Sequence, residues 1–152
     1  MPEKRDRTLI PLSREHHFAL LLCWKINEGI KLGVSADRIS IYVKWFCDNY
    51  LLKHFKEEED LLFPLLGLEK FNIKKALSDH ATLIDILVMN QFDYASLGKF
   101  ACLLNEHIRF EERVLFNEIQ QNVTIEALEL IESKFTNIPF VENLDDEFWI
   151  TK

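Results

Sequence analysis

Two decapeptides in this chain each set a histidine four residues before a glutamate. They are His54-Phe55-Lys56-Glu57-Glu58-Glu59-Asp60-Leu61-Leu62-Phe63 and His107-Ile108-Arg109-Phe110-Glu111-Glu112-Arg113-Val114-Leu115-Phe116. Residues four apart are neighbours on one face of an α-helix, so each pair presents an imidazole and a carboxylate side by side, ready to chelate a metal ion. The two segments match at the histidine, the basic residue, two glutamates, an apolar pair and the closing phenylalanine, which marks an internal repeat. Glu15-His16 and Asp79-His80 echo one another more faintly.

Helical phase selects among the donors. At about 100° per residue Glu111 lies in the middle of an apolar stripe that includes Leu104, Val114 and Leu115, while Glu112 swings roughly 100° away. The repeat then favours Glu58 over Glu57, and Lys56, Glu59 and Arg109 read as solvated charges. His16 shares a flank with Ala19, Cys23, Ile26 and Ile30, whereas His17 shares one with Lys25, Glu28 and Lys31, so His16 is the inward residue. His16, His54, His80 and His107 fall within about one helical turn of a common level when counted from the intervening loops. Four histidines and two glutamates at one height in an apolar core do not fit a metal-free interior, because buried charges pair or coordinate metal.

Imidazole and carboxylate without thiolate suit Fe, Mn or Zn better than Cu(I), Ca or an iron-sulfur cluster. Six side chains exceed one tetrahedral zinc. They suit two adjacent ions, bridged by the glutamates and by an oxo or hydroxo group. No acid stands three residues before any histidine, which disfavours the Glu-x-x-His pattern of ferritin-like di-iron proteins, and HExxH is absent.

The elements that must carry these residues are helical. Apolar periodicity predicts a first helix from Arg14 to Lys31 capped by Ser13 and a second from Ser35 or Asp37 to Leu62, interrupted at Pro64. A third is expected from Asn72 to Asn90, a fourth from Asp93, and a shorter one over Thr124 to Lys134. Residues 136–152 read as an irregular tail docked by Phe148 and Trp149. The expected fold is all-α, a single domain over 1–152. Within it, residues 12–120 form an up-down-up-down four-helix bundle and residues 121–152 an extra C-terminal helix with a docked tail.

Composition removes other classes. A formal charge of -7 with no basic cluster excludes a nucleic-acid partner. The longest apolar run, Phe18 to Trp24, is far below the roughly 20 residues of a membrane span, and Met1 to Thr8 lacks a signal sequence, so cytoplasmic residence is expected. Cys23, Cys47 and Cys102 are odd in number and widely spaced, and read as reduced core residues. Nothing in the sequence marks an organic substrate pocket.

Taken together, Glu15-His16, His54-Phe-Lys-Glu-Glu58 with Leu-Leu-Phe-Pro64 after it, Asp79-His80, and His107-Ile-Arg-Phe-Glu111-Glu with Leu115-Phe116 after it resemble the hemerythrin family in its bacterial HHE branch. The resemblance implies a non-haem di-iron centre in which His16, His54, His80 and His107 are terminal ligands while Glu58 and Glu111 bridge. It implies binding of dioxygen, nitric oxide or peroxide for oxygen or iron sensing, storage or detoxification, with an oxygen- or peroxide-activating enzyme as the rival reading. Oxygen-carrying members have two histidines four apart on the third helix, where this chain has Ala76 and Ile84 around His80. That position is left for solvent, Glu57 or another group.

Overall fold

The structure, a computed structural model, describes residues 4–151, and all regular secondary structure among them is helical. A 3₁₀ turn, Arg7–Leu9, capped by the Asp6 carboxylate, leads into the first helix, Ile10–Lys31. The expected Ser13 cap is therefore one turn late. Pro11 falls in the first turn, where its missing N–H is not needed, and the helix extends back to Ile10. It stops where Gly33 takes φ +74°, with the Gly33 and Val34 amides donating to the Ile30 and Gly29 carbonyls, a Schellman closure.

The second helix covers residues 36–66 and starts at Ser35, whose hydroxyl accepts from the Arg38 amide. Pro64 does not interrupt it as expected. The proline sits in the first turn of the last segment, Phe63–Leu66, and the helix ends only at Gly67, with φ +123°. The third helix, Phe71–Met89, closes on Asn90 in the left-handed conformation. Asp93 and Ser96 form a reciprocal capping box at the head of the fourth, residues 94–122, and Thr124 caps the fifth, Ile125–Glu132.

Three π-helical turns are inserted into the second and fourth helices: Cys47–Leu51, Glu58–Leu62 and Glu111–Leu115. Each is closed by an amide donating to the carbonyl five residues back, as Phe63 does to Glu58 and Phe116 to Glu111. Two of the three begin at the repeated glutamates. Widened turns of this kind are concentrated at functional sites, because they re-aim side chains without ending the helix. Within the fourth-helix turn Leu115 is buried and Val114, expected on the stripe, is exposed.

Buried side chains form two apolar clusters with a polar layer between them. One contains Leu22, Phe46, Phe55, Leu83 and Phe100; the other contains Leu12, Phe63, Ile73, Leu115 and Phe116. The order in which a helix meets the two clusters reverses from each of the four long helices to the next. Leu128, Ile131 and Phe135, in and just after the fifth helix, cover the second cluster. Cys23 and Cys47 are buried as expected, but Cys102 is exposed, because it sits two residues past Phe100 and so points away from that helix's buried stripe.

Residues 136–151 have no regular structure and wrap the first two helices. Buried Lys25 pairs with Glu142, donates to the Tyr42 hydroxyl at 2.8 Å and lies 4.2 Å over the Trp149 ring. Arg38 grips Asp146 through two contacts of 2.8 and 2.7 Å, and the Thr136 amide donates to Glu57 at 2.9 Å. The Phe148 ring packs against Gly29, where an added Cβ would be 2.7 Å from that ring and 2.9 Å from Ile39. Gly29→Ala gains about 1 kcal/mol of helix propensity but overpacks at a cost of about 1–3 kcal/mol. The expected outcome is a Tm lower by a few degrees and faster hydrogen exchange confined to the tail. An unchanged or higher Tm would show that the tail does not depend on this contact.

Candidate metal centre

The polar layer contains His16, His54, Glu58, His80, His107 and Glu111, all buried. They fall into two groups, His16, His54, Glu58 and Glu111, and His80, His107, Glu58 and Glu111. In each group the donor atoms lie within 4.8 Å of one another. The glutamates are common to both. His17, one residue from His16, is exposed.

Distances within the layer suit donors that share an ion. His16 Nε2 is 3.2 Å from Glu111 Oε2, His54 Nε2 is 3.4 Å from Glu58 Oε2, and His80 Nε2 is 3.3 Å from Glu58 Oε1. His107 Nε2 abuts Glu111 Oε1 and is 3.1 Å from His80 Nε2. Ligands about 2.1 Å from a common metal and at right angles around it are roughly 3 Å apart. Both oxygens of Glu58 and of Glu111, with the Nε2 atoms of His16 and His54, are buried without a hydrogen-bond partner among the described residues. A buried carboxylate left in that state costs several kcal/mol, so this donor set fits cations.

Each imidazole is held from behind by a carboxylate. His16 Nδ1 donates to Glu112 at 2.7 Å, His54 Nδ1 to Glu15 at 2.9 Å, His80 Nδ1 to Glu59 at 3.2 Å and His107 Nδ1 to Asp79 at 2.9 Å. An ionised carboxylate only accepts, so the proton sits on Nδ1 and the Nε2 lone pair faces the layer. Exchanging the first helix with the third and the second with the fourth maps every one of these contacts onto another. Glu59 is accordingly no solvated charge, as its sequence position suggested, and the residues acting through the ligands are Glu15, Glu59, Asp79 and Glu112. Their signal was present as acid-histidine and Glu-Glu dipeptides, but helical phase alone turns those acids aside without saying what they meet. Lys53, Lys75 and Arg5 pair with Glu15, Asp79 and Glu112 on the outer side.

Glu57, considered for the vacant third-helix position, is directed elsewhere: it accepts from the Thr136 amide and pairs with Lys53. Ala76 is buried in an apolar cluster and Ile84 packs against the other, so neither neighbour of His80 adds a donor.

The profile of the hemerythrin HHE cation-binding domain matches residues 12–119, more than half of the chain. The chain belongs to this family. No curated protein and no solved structure matches it. The matched span, residues 12–119, covers the stretch of chain that carries the polar layer and ends before the fifth helix and the tail.

The charge balance of this hemerythrin HHE domain favours bound cations of either kind, protons or metals. Burial works against the charged form of His54, yet attraction to the Glu58 carboxylate and the hydrogen bond to Glu15 push it up to about 9. His80, opposed by burial in the same way, is pushed up to about 11 by Glu111, Glu58 and Glu59. Burial likewise resists ionisation of Glu111, but His107 and His16 hold it well below the usual carboxylate range. Raised histidines stabilise the metal-free fold fully below their unfolded value of about 6.5, and that contribution is lost as pH climbs through the folded values. The metal-free protein should therefore lose thermal stability between about pH 6.5 and pH 9, where His54 gives up its proton. Metal-loaded protein should show the opposite trend, since metal and protons compete for Nε2. A metal-free Tm that rises over that interval would contradict the charge balance described.

Proposed function

We infer that this protein is a hemerythrin-like non-haem di-iron protein that binds dioxygen, nitric oxide or peroxide, in oxygen or iron sensing, storage or detoxification. The observation carrying this reading is the sharing of Glu58 and Glu111 between two buried histidine pairs. In it, His16 and His54 would hold one ion and His80 and His107 the other, with Glu58 and Glu111 available to both. The alternating order of the apolar clusters supports an up-down-up-down arrangement of the four long helices.

Iron bound there supplies open coordination positions and reversible one-electron chemistry toward small oxidants. The chain's own part is orientation and exclusion of water. The outer carboxylates fix the imidazole tautomers and raise the basicity of Nε2. Phe55 stacks on His80 with centroids 3.9 Å apart and Phe116 on His16 at 5.2 Å, which keeps the ring faces dry. Each group offers two histidines and two shared carboxylates, so the protein provides the two halves with equal numbers of donors.

Metal analysis should give close to two ions per chain, mainly iron, with a near-ultraviolet charge-transfer band. One zinc per chain and no such band would contradict the di-iron reading. Glu58→Ala and Glu111→Ala should each abolish stoichiometric binding, as should His16→Ala, while His17→Ala should not. Glu59→Ala and Glu112→Ala should weaken affinity by about 10–100-fold, the usual effect of removing a carboxylate behind a ligating histidine. Full affinity in both would show that those hydrogen bonds do not support the ligands. With His80 the third helix's sole donor, the reduced protein should oxidise in air to a stable ferric form. Oxygen uptake that persists for hours and reverses under vacuum would instead indicate a carrier.

A further inference from the structure

Beside the polar layer lies a cavity of about 360 Å³, within the ~300–1,000 Å³ span of small-molecule sites and far larger than a diatomic gas needs. Its inner end reaches the rings of His16, His54 and His107. Ala19, Phe46, Leu51, Phe55 and Ile108 make a buried wall of carbon. The C-terminal tail roofs it through Ile138, Pro139 and Phe140, with Phe140 stacked on Phe18 at 4.5 Å. On the solvent side Arg14 and Asn137 are exposed.

Charge at the rim narrows the ligand class. Arg14 has no ion-pair partner among the described residues. Glu15, the acid that also lines the cavity, is taken by His54 at 2.9 Å and Lys53 at 3.3 Å. The cavity therefore offers one unpaired cation and no unpaired carboxylate, which admits an anion and disfavours an amine. We propose that it binds a small organic acid, with an aliphatic or aromatic body against Phe46, Phe55 and Ile108 and its carboxylate on the Arg14 guanidinium. A guanidinium receives a carboxylate through two parallel hydrogen bonds, while an apolar wall holds the body of the ligand without directing it. This site does not depend on which metal the neighbouring layer holds.

Calorimetric titration of the purified protein, with whatever metal it carries, tests this using octanoate and 1-octanol as probes. Octanoate should saturate one site per chain, and 1-octanol should bind at least tenfold more weakly. Arg14→Gln should lower octanoate affinity about tenfold and leave 1-octanol unchanged, and Ala19→Leu, which fills the floor, should abolish binding of both. If circular dichroism shows that Ala19→Leu does not fold, Arg14→Gln decides alone, since that position is exposed. Absence of saturable octanoate binding, equal binding of acid and alcohol, or octanoate affinity unmoved by Arg14→Gln would each overturn the proposal. Because heat is read and not iron content, failure here is distinguishable from failure of the di-iron reading.

Discussion

Everything in this fold is arranged around two carboxylates, Glu58 and Glu111, placed at zero exposure with no hydrogen-bond donor for any of their four oxygens. Stranding such groups between two apolar clusters is among the most costly things a core can do. The cost is tolerable only if cations are supplied. Four imidazoles surround the pair, and burial notwithstanding, the carboxylates pull their proton affinity upward. Bound metal cations would answer the same demand, since each glutamate turns one oxygen toward each histidine pair.

That demand propagates outward in layers. Imidazoles facing two carboxylates must keep Nε2 free, and the chain ensures this by placing Glu15, Glu59, Asp79 and Glu112 on the Nδ1 atoms. Three of those acids, Glu15, Asp79 and Glu112, are in turn partly neutralised at the surface by Lys53, Lys75 and Arg5. The pairing is crossed between helices: the acid before one histidine supports the histidine of the next helix. This locks the helices in register at the height of the centre, and a helix slipping by a turn would break donors and supports together. The π turns that begin at Glu58 and Glu111 are part of the same device, widening the helix where two successive glutamates meet the two ring nitrogens of one histidine, Glu58 and Glu59 at His80 and Glu111 and Glu112 at His16.

Much of this was legible in the sequence for a simple reason: the doubled His-x-x-x-Glu segment encodes both spacing and repeat, and a 3.6-residue period turns spacing into direction. The choice of His16 over His17 came from the same phase argument, and in the structure His16 faces the centre while His17 is exposed. Phase arguments run out at tertiary contacts. Glu59 looked solvated because its own helix turns it sideways, and only the neighbouring helix brings His80 to it. Cys102 looked apolar by its neighbours Phe100, Ala101 and Leu103, yet its angle puts it outside. The start of the first helix and the passage through Pro64 were misjudged because a proline in a first turn stops nothing. The cavity could not be read at all, since residues 137–140 come to the first and second helices only through folding of an irregular tail.

Anomalous X-ray scattering at the iron edge, from crystals of the metal-containing protein, addresses the central claim most directly. The account predicts two peaks, one in contact with Nε2 of His16 and His54 and the other with Nε2 of His80 and His107, each also touching Glu58 and Glu111. A single peak, or two peaks that do not share those glutamates, would contradict it.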